Sequence, residues 1–318
     1  MDRRRWAPRL ATALVTALAL PAAAQAATAP AVTTGGAANR TPTSVRLTGT
    51  VDPNGAPTTY QFQYGTTSAY GAVTAERTVT GDGKRTVTVD VTGLAPATKY
   101  HYRLIAHNER GLRRGRHRTF KTRIQPLGVT LTATPNPLPF GGTTTLSGTL
   151  TGTNSANRRI VLESNPFPYT QGFQPVGNQL VTDAQGTFSF GLQAVPFNTQ
   201  YRVALPEKPD VISPIVVVSV TPIIGTVVSR RHLHKGRQVT FKGRIHPALD
   251  GTPLAIQRRR RGEWVTIAGM AAHHGASSYS RYRKRIRLAK SGLYRVYAGV
   301  STGSYVPATG REIRFYVG

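Results

Sequence analysis

Apolar and polar residues alternate along most of the chain, and this two-residue period predicts strands. Tyr60, Phe62 and Tyr64 alternate with two glutamines, and the same period runs through residues 87–92 and 100–107. Because successive side chains of a strand point to opposite faces, each run presents one apolar face to a core. Thr, Val and Gly are abundant while Glu and Lys are scarce, which disfavours helix. The pattern therefore predicts an all-β fold beyond the N-terminus.

One short phrase, ordered apolar, polar, Gly, polar, apolar, recurs three times. It occupies residues 47–51, 146–150 and 241–245. Its glycines are 99 and 95 residues apart, a spacing too long for a solenoid repeat. Together with turn signals between short strands, this repeat predicts three tandem immunoglobulin-like β-sandwich domains. We place them at residues 29–123, 127–219 and 222–318.

The first 26 residues have the pattern of a secretory signal peptide, which predicts an N-terminal signal helix at 1–26. Four arginines within the first nine residues precede an apolar run from Leu10 to Leu20, and Ala24-Gln25-Ala26 is a small-x-small cleavage site. The apolar run is shorter than the ~20 residues that span a bilayer. We therefore expect a secreted or cell-surface protein without a membrane span, whose mature chain begins within two residues of Ala27. Sec export fits better than twin-arginine export, although both remain open.

The run Leu-Ala-Pro-Ala-Thr-Lys-Tyr-His-Tyr-Arg at 94–103 resembles the L-x-P-x-T-x-Y-x-Y-R run of fibronectin type III domains. The resemblance covers the whole first module and implies a binding or spacing role without catalysis. In that family the first Tyr forms a tyrosine corner. The resemblance thus implies structural roles for Leu94, Pro96 and Tyr100. The family's core Trp on the second strand is absent, and Val45 and Leu47 stand there.

The second and third modules resemble bacterial immunoglobulin-like repeats, which occur in tandem in secreted proteins. Residues 181–190 are similar to a hairpin of these domains, in which Asp183 bonds nearby backbone and Gly186 supplies a positive φ. Tyr-Arg-Val at 201–203 and at 294–296 indicates the same late strand in both modules. The resemblance as a whole is to a secreted bacterial protein with one fibronectin type III domain followed by immunoglobulin-like repeats.

Catalytic and metal-binding patterns are missing from the sequence. It has no Cys, no H-E-x-x-H, no G-x-S-x-G and no phosphate loop, and its few acidic residues form no evident pair. His232-x-His234 is the best metal candidate, but two imidazoles without a third ligand make a poor site. We therefore expect neither an enzyme nor a cofactor.

Positive charge is distributed unevenly along the chain. The net charge is +28 overall. Residues 28–124 carry 14 basic and 5 acidic side chains, residues 125–219 carry 4 of each, and residues 220–318 carry 19 and 3. A uniform preference for Arg would have charged all three modules alike. The third module is therefore the candidate for binding an anionic partner.

Two groups of arginines in the third module are the candidate anion-binding residues. The first group is the unbroken run Arg258, Arg259, Arg260 and Arg261, which we expect to form a hairpin turn before Trp264. The second group is Arg281, Arg283, Arg285 and Arg287, which on a strand would line one face ~6.6–6.8 Å apart. We expect both groups to form one surface that grips a polyanion. The alternative is a solvated outer face without a ligand.

These observations predict a non-catalytic exported surface or matrix protein that acts as a structural or adhesive spacer. Its basic C-terminal module would bind an anionic cell-envelope polymer, with polysaccharide or extracellular DNA as further possibilities. A second hypothesis is a secreted carbohydrate-binding or accessory module, in which Tyr279, Tyr282 or Trp264 stacks on sugar or bases. Salt dependence separates the two, because polyanion binding weakens with salt. The sequence does not fix the oligomeric state.

Overall fold

The computed structural model describes residues 27–318, so the signal peptide expected at 1–26 lies outside the described residues. All regular elements within 27–318 are strands, which confirms the all-β prediction. No helix in this range is long and apolar enough to cross a membrane. The chain forms two compact units, the first ending at Ile124 and the second spanning Gln125–Gly318.

The first unit is a sandwich of two antiparallel sheets. Its strands are β1 (Ala31–Ala38), β2 (Ser44–Asp52), β3 (Thr58–Gly65), β4 (Ala72–Val73), β5 (Arg77–Val79), β6 (Arg85–Thr92), β7 (Lys99–Asn108), β8 (Gly111–Arg114) and β9 (Arg118–Lys121). One sheet has the order β1-β2-β6, and β3 and β7 form the centre of the other. Leu47, Phe62 and Leu104 are fully buried between the sheets. The alternating aromatic face predicted at 60–64 therefore does supply core residues.

The second unit begins with another two-sheet sandwich. Its strands are β10 (Gly128–Val129), β11 (Thr132–Thr134), β12 (Leu138–Pro139), β13 (Thr143–Thr151), β14 (Arg159–Pro166), β15 (Gln174–Pro175), β16 (Leu180–Val181), β17 (Thr187–Gln193), β18 (Thr199–Leu205), β19 (Lys208–Ile212), β20 (Val216–Val218) and β21 (Val220–Thr221). β13 is central in one sheet, and β14 pairs with β18 in the other. The predicted hairpin is present, since Asp183 accepts hydrogen bonds from the Gln185 and Thr187 amides and Gly186 has φ 79°.

A third sandwich completes the second unit. Its strands are β22 (Ile223–Val228), β23 (His232–Leu233), β24 (Gln238–His246), β25 (Pro253–Arg260), β26 (Glu263–Ala271), β27 (His273–Ala276), β28 (Tyr279–Arg287), β29 (Gly292–Ala298), β30 (Ala308–Thr309) and β31 (Ile313–Val317). One sheet has the order β22-β24-β28-β27, and the other has the order β23-β31-β29-β25-β26. Phe241, Tyr294 and Phe315 form the centre of the core between them.

The second and third sandwiches meet at Tyr305, which packs against both cores. Its hydroxyl donates to the Pro196 carbonyl at 2.8 Å, and its ring centroid lies 6.4 Å from that of Phe140. Asn198 is buried beside it, and its side-chain amide donates to the Gly303 carbonyl and accepts from the Val220 amide, both at 2.8 Å. The junction is thus made of specific, directional contacts.

The glycine of the repeated phrase lies where two backbone segments come close. A Cβ on Gly148 would stand 2.0 Å from the Thr130 carbonyl oxygen, and one on Gly243 would stand 1.8 Å from that of Gly225. In both sandwiches the residue paired with the glycine is a buried aromatic, Phe188 or Tyr282. The phrase therefore marks the same structural position, β13 in one sandwich and β24 in the next.

Candidate functional site

The four alternating arginines lie on β28 and all face solvent. Arg281, Arg283, Arg285 and Arg287 are exposed, whereas Ser280 and Tyr282 beside them are buried. This is the two-residue period of a strand with one face on the core. The four guanidinium groups thus extend along the outer face of one sheet.

The neighbouring strand β24 adds two cations that sequence reasoning missed. Lys242 pairs with Arg283 and Arg244 pairs with Arg281, and both added side chains are exposed. The signal was present in the repeated phrase, where Lys-Gly-Arg replaces the hydroxyl residues of the other copies. Long-range pairing then places these cations beside the arginine row. We call the surface formed by Lys242, Arg244, Arg281, Arg283, Arg285 and Arg287 the basic face.

A groove of about 1130 Å³ crosses one end of the basic face. Its other side is β22, which contributes Ile223, Gly225 and Val227. The Arg311 guanidinium lies at this edge and donates to the Thr226 carbonyl at 3.3 Å. Basic and apolar side chains therefore line the same depression.

Buried hydroxyl groups hold the strands beneath the groove together. The Tyr282 hydroxyl donates to the Gly225 carbonyl at 2.9 Å and lies 2.6 Å from Thr226 Oγ1. Burial raises the pKa of Tyr282 to about 12, so the phenol remains a neutral donor at physiological pH. Because its one hydrogen goes to Gly225, Thr226 is the donor in the second contact. This network joins β28 to β22 underneath β24.

Asp250, which bonds the residue next to Arg281, is already engaged. Asp250 accepts a hydrogen bond from the buried Ser280 hydroxyl and lies 3.1 Å from His274 Nδ1. The bond from Ser280, assisted by His274, holds the pKa of Asp250 below its ordinary value. The ion pairs of residues 27–318 do not include any cation of the basic face. Its positive charge is therefore left without an internal carboxylate partner within that range.

The Arg258–Arg261 run does not continue this face, which corrects the expectation of one surface. Arg258, Arg259 and Arg260 end β25 in the opposite sheet, and only Arg261 and Gly262 form the turn, with φ 49° and 92°. Two positive φ values define the tight turn that matches strand twist, so the other three arginines remain in the strand.

The first arginine of this run also has a structural contact within its own sandwich. Arg258 lies 5.9 Å from the Tyr294 ring centroid and donates to the Ser291 carbonyl at 3.1 Å. The run is therefore divided between one packed side chain and exposed ones. It belongs to a different surface from the arginine row.

The three candidate aromatic residues do not lie together, and within residues 27–318 the candidate His232-x-His234 pair is not part of a larger group of metal ligands. Tyr282 is core, Tyr279 lies under the Arg244 guanidinium at 4.5 Å, and Trp264 is on the other sheet with Arg295 4.1 Å over its ring. His232 stacks on Tyr316 with centroids 4.8 Å apart. No cluster of three or more potential metal ligands occurs in the part of the chain that the structure describes. Tyr279, Tyr282 and Trp264 therefore do not form a continuous aromatic platform.

The same four positions around the repeated glycine differ in chemistry among the three sandwiches. They flank the glycine and its paired residue on the outer face. In the first sandwich they are Thr48, Thr50, Thr86 and Thr88; in the second, Ser147, Thr149, Thr187 and Ser189; in the third, Lys242, Arg244, Arg281 and Arg283. In two of the three sandwiches the fold forms with Thr or Ser at all four positions. The four cations of the third sandwich are therefore not a requirement of the fold.

Residues 30–122 match the family model of the fibronectin type III domain. The first sandwich is a fibronectin type III domain, and its Tyr100 hydroxyl accepts a hydrogen bond from the Ala95 amide at 2.9 Å, the geometry of a tyrosine corner. Domains of this kind are typically non-catalytic and are typical of extracellular or surface proteins. A comparison with curated proteins gave no match.

Three solved structures of tandem domains are similar to this chain. The FN1–FN3 domains of chicken CNTN1 share 15% identity, with 90% of this chain and 99% of that chain covered and a TM-score of 0.29. Three consecutive domains of titin share 15% identity, with 91% and 100% covered and a TM-score of 0.37. A tetra-tandem repeat from the extending region of a large adhesion protein shares 14%, with 90% and 74% covered and a TM-score of 0.29.

Proposed function

We propose that this protein is a non-catalytic, exported spacer or adhesive protein whose third sandwich binds an anionic polymer of the cell envelope through the basic face. The observation that carries the proposal is the replacement of hydroxyl residues by cations at equivalent positions. Where the first two sandwiches have only Thr and Ser, the third has Lys242, Arg244, Arg281 and Arg283. Arg285 and Arg287 extend the charge along the same strand.

The spacing of these cations favours a polymer over a small anion. Cations on one strand repeat every ~6.6–6.8 Å, and the two strands lie ~4.8 Å apart. Such an array repels itself, and a bound polyanion relieves the repulsion while releasing its own counterions. A single phosphate carries at most about two negative charges at neutral pH and would neutralise at most two of the cations. A linear polyanion along β28 would neutralise all of them.

The rest of the chain supports an extracytoplasmic role. The pattern of residues 1–26 is that of a signal peptide, and the first sandwich belongs to a domain type that is typical of surface proteins. The second sandwich has no net charge and carries hydroxyls where the third carries cations. We assign it the role of a spacer that presents the basic sandwich. The carbohydrate-stacking alternative is less favoured, because Arg295 covers one face of Trp264.

Salt-dependent binding tests this proposal, with duplex DNA as a polyanion of known behaviour and purified cell envelope as the second probe. Six cations engaged with phosphates should give a slope of about −5 in log K against log salt. Replacing Lys242, Arg244, Arg281 and Arg283 by Thr leaves Arg285 and Arg287, and the slope should fall to about −2. Thr is the appropriate replacement because the first sandwich has Thr at all four positions.

The control variant removes the same number of positive charges from the opposite sheet and a nearby loop. Arg230, Arg259, Arg260 and Arg314 are exposed and lie outside the basic face. Their replacement by Thr lowers the net charge equally and should leave most of the slope in place. If both variants weaken binding to the same extent, net charge alone is responsible and the basic face is not a site. If neither weakens it, the basic face is not the binding site.

A further inference from the structure

We propose that the groove between β22 and the arginine row accepts an amphiphilic anion, in which a phosphate or similar group carries an alkyl chain. This inference rests on the proposed function, since the same cations hold the charged group. It adds that the ligand has an apolar segment, as a lipid-linked polymer has. The segment would lie along β22 while the anionic group contacts β24 and β28.

The outer face of β22 is apolar where a solvated face would be polar. Ile223 is 45% exposed and Val227 is 55% exposed, and Gly225 lies between them. The inward residues Ile224 and Thr226 are buried. An outward row of this kind, next to a strongly charged surface, is a feature of interaction sites. We call Ile223, Gly225 and Val227 the apolar lane.

The sheet register places the apolar lane directly beside the cations. Val227 pairs with Lys242, which pairs with Arg283. Gly225 likewise pairs with Arg244, which pairs with Arg281. Each step across the sheet is ~4.8 Å. An anionic group held between β24 and β28 is therefore within one or two strand spacings of the lane, which is close enough for the first methylene groups of an attached chain.

The shape of the groove favours one inserted chain over a membrane surface. Insertion into a bilayer requires apolar side chains that protrude beyond their surroundings. Here Ile223 and Val227 are shorter than the adjacent Lys242 and Arg244, and all four line one depression of about 1130 Å³. Small-molecule pockets of ≈ 300–1,000 Å³ combine apolar lining with a few polar groups. The groove is slightly larger than that range, and its cations complement a negative headgroup.

Monomeric dodecyl phosphate is the probe that tests this inference on the intact protein, by calorimetric titration below its micelle concentration. Inorganic phosphate and dodecyl maltoside supply the charge and the chain separately. Burial of only four methylene groups should make dodecyl phosphate bind about 200-fold more tightly than phosphate. Dodecyl maltoside should bind more weakly than dodecyl phosphate, since it leaves the cations unpaired. Equal affinities for phosphate and dodecyl phosphate would overturn the inference.

Gly225→Leu blocks the groove without removing charge. The nearest heavy atom to a Cβ at Gly225 is the Arg244 carbonyl oxygen at 3.8 Å, so a side chain fits and projects over the lane. The variant should lose the advantage of dodecyl phosphate over phosphate and keep the salt slope for DNA. The double variant Ile223→Ser with Val227→Ser should do the same, and Val265→Ser, an exposed valine on the other sheet, should change neither.

These measurements separate the inference from the proposed function. If DNA binds with the expected salt slope but dodecyl phosphate binds no better than phosphate, the amphiphile inference is refuted and the proposed polyanion site stands. A dodecyl phosphate preference that survives both Gly225→Leu and the double Ser variant would place the chain elsewhere and also refute the inference. Loss of the preference in both variants, with circular dichroism unchanged, is the expected result.

Discussion

Buried tyrosine hydroxyls fix the start of the late strand in two of the sandwiches. Tyr100 accepts from the Ala95 amide, and Tyr294 donates to the Lys290 carbonyl at 2.7 Å. Each Tyr follows a buried Leu by six positions, Leu94 or Leu288. The first corner could be predicted because its motif is complete. The second was missed because Lys, Ser and Gly stand between the Leu and the Tyr, so only the spacing remains.

Tyr100→Phe should destabilise the first sandwich alone. The substitution removes the acceptor of the part-buried Ala95 amide, and the loss should be about 0.5–1.5 kcal/mol, rising to about 3 kcal/mol if the amide finds no water. Differential scanning calorimetry should show the transition of the first sandwich lowered and that of the second unit unchanged. Tyr64→Phe is the control, since that ring packs against the same core from a partly exposed position. An unaltered melting profile for Tyr100→Phe would contradict the corner.

At the scale of single residues, the alternation of apolar and polar positions correctly predicted which side chains of a strand are exposed. It did not predict to which sheet each strand belongs. The row from Arg281 to Arg287 has its expected orientation because a strand allows only two directions for a side chain. Arg258 was misjudged because a run of identical residues carries no period. The pairing of β25 with β26 shifts register after Ile256, and no feature of the local sequence indicates that shift.

Among the elements, β24 connects the fold to the candidate site. Its Gly243 allows β22 and the Tyr282 ring to approach on the inner side, while Lys242 and Arg244 point outward. The repeated phrase revealed the strand and its glycine. It did not reveal that β24 lies between β22 and β28, because that order depends on pairing between residues 35 to 49 positions apart. The basic face and the apolar lane therefore emerge only from the sheet order.

Gly243→Ala should destabilise the third sandwich strongly. The added Cβ would stand 1.8 Å from the Gly225 carbonyl oxygen and 2.6 Å from the Tyr282 hydroxyl oxygen, so the backbone of β22 has to move. Overpacking that forces backbone to shift costs about 1–3 kcal/mol, occasionally more, and the contact with backbone places this substitution at the upper end. Chemical denaturation followed by fluorescence measures the change.

Gly225→Ala is the matched control for that experiment, because its Cβ meets nothing closer than 3.8 Å. Its free energy of unfolding should stay within about 1 kcal/mol of the wild type. Equal effects of the two substitutions would mean that intrinsic glycine preference decides the outcome, and that the close approach at Gly243 is unimportant.

For the whole molecule, the arrangement within the second unit decides how the basic face is presented. The second and third sandwiches meet through Tyr305 and Asn198, which lie in segments that the sequence pattern treats as ordinary loops. The repeat predicted separate modules, yet specific hydrogen bonds from Asn198 to Gly303 and from Tyr305 to Pro196 join these two. A contact of this kind has no periodic signature, since it is made by single residues more than 100 positions apart.

Asn198→Ala should uncouple the second and third sandwiches. The buried side chain donates to Gly303 and accepts from Val220, so truncation leaves a carbonyl and an amide without their partner, at a cost of about 1–3 kcal/mol each if they remain buried.

In the wild type we expect the second unit to unfold in one calorimetric transition, because loss of either sandwich removes the contacts of the other. In the variant we expect two transitions, with the salt slope for DNA unchanged, because none of the residues that Asn198 bonds belongs to the basic face. Asn178→Ala, at an exposed position of the second sandwich, should retain one transition. A single unshifted transition in Asn198→Ala would show that the Asn198 side chain does not couple the two sandwiches, and Tyr305→Ala, which removes both the packing and the bond to Pro196, would then be the variant that separates them.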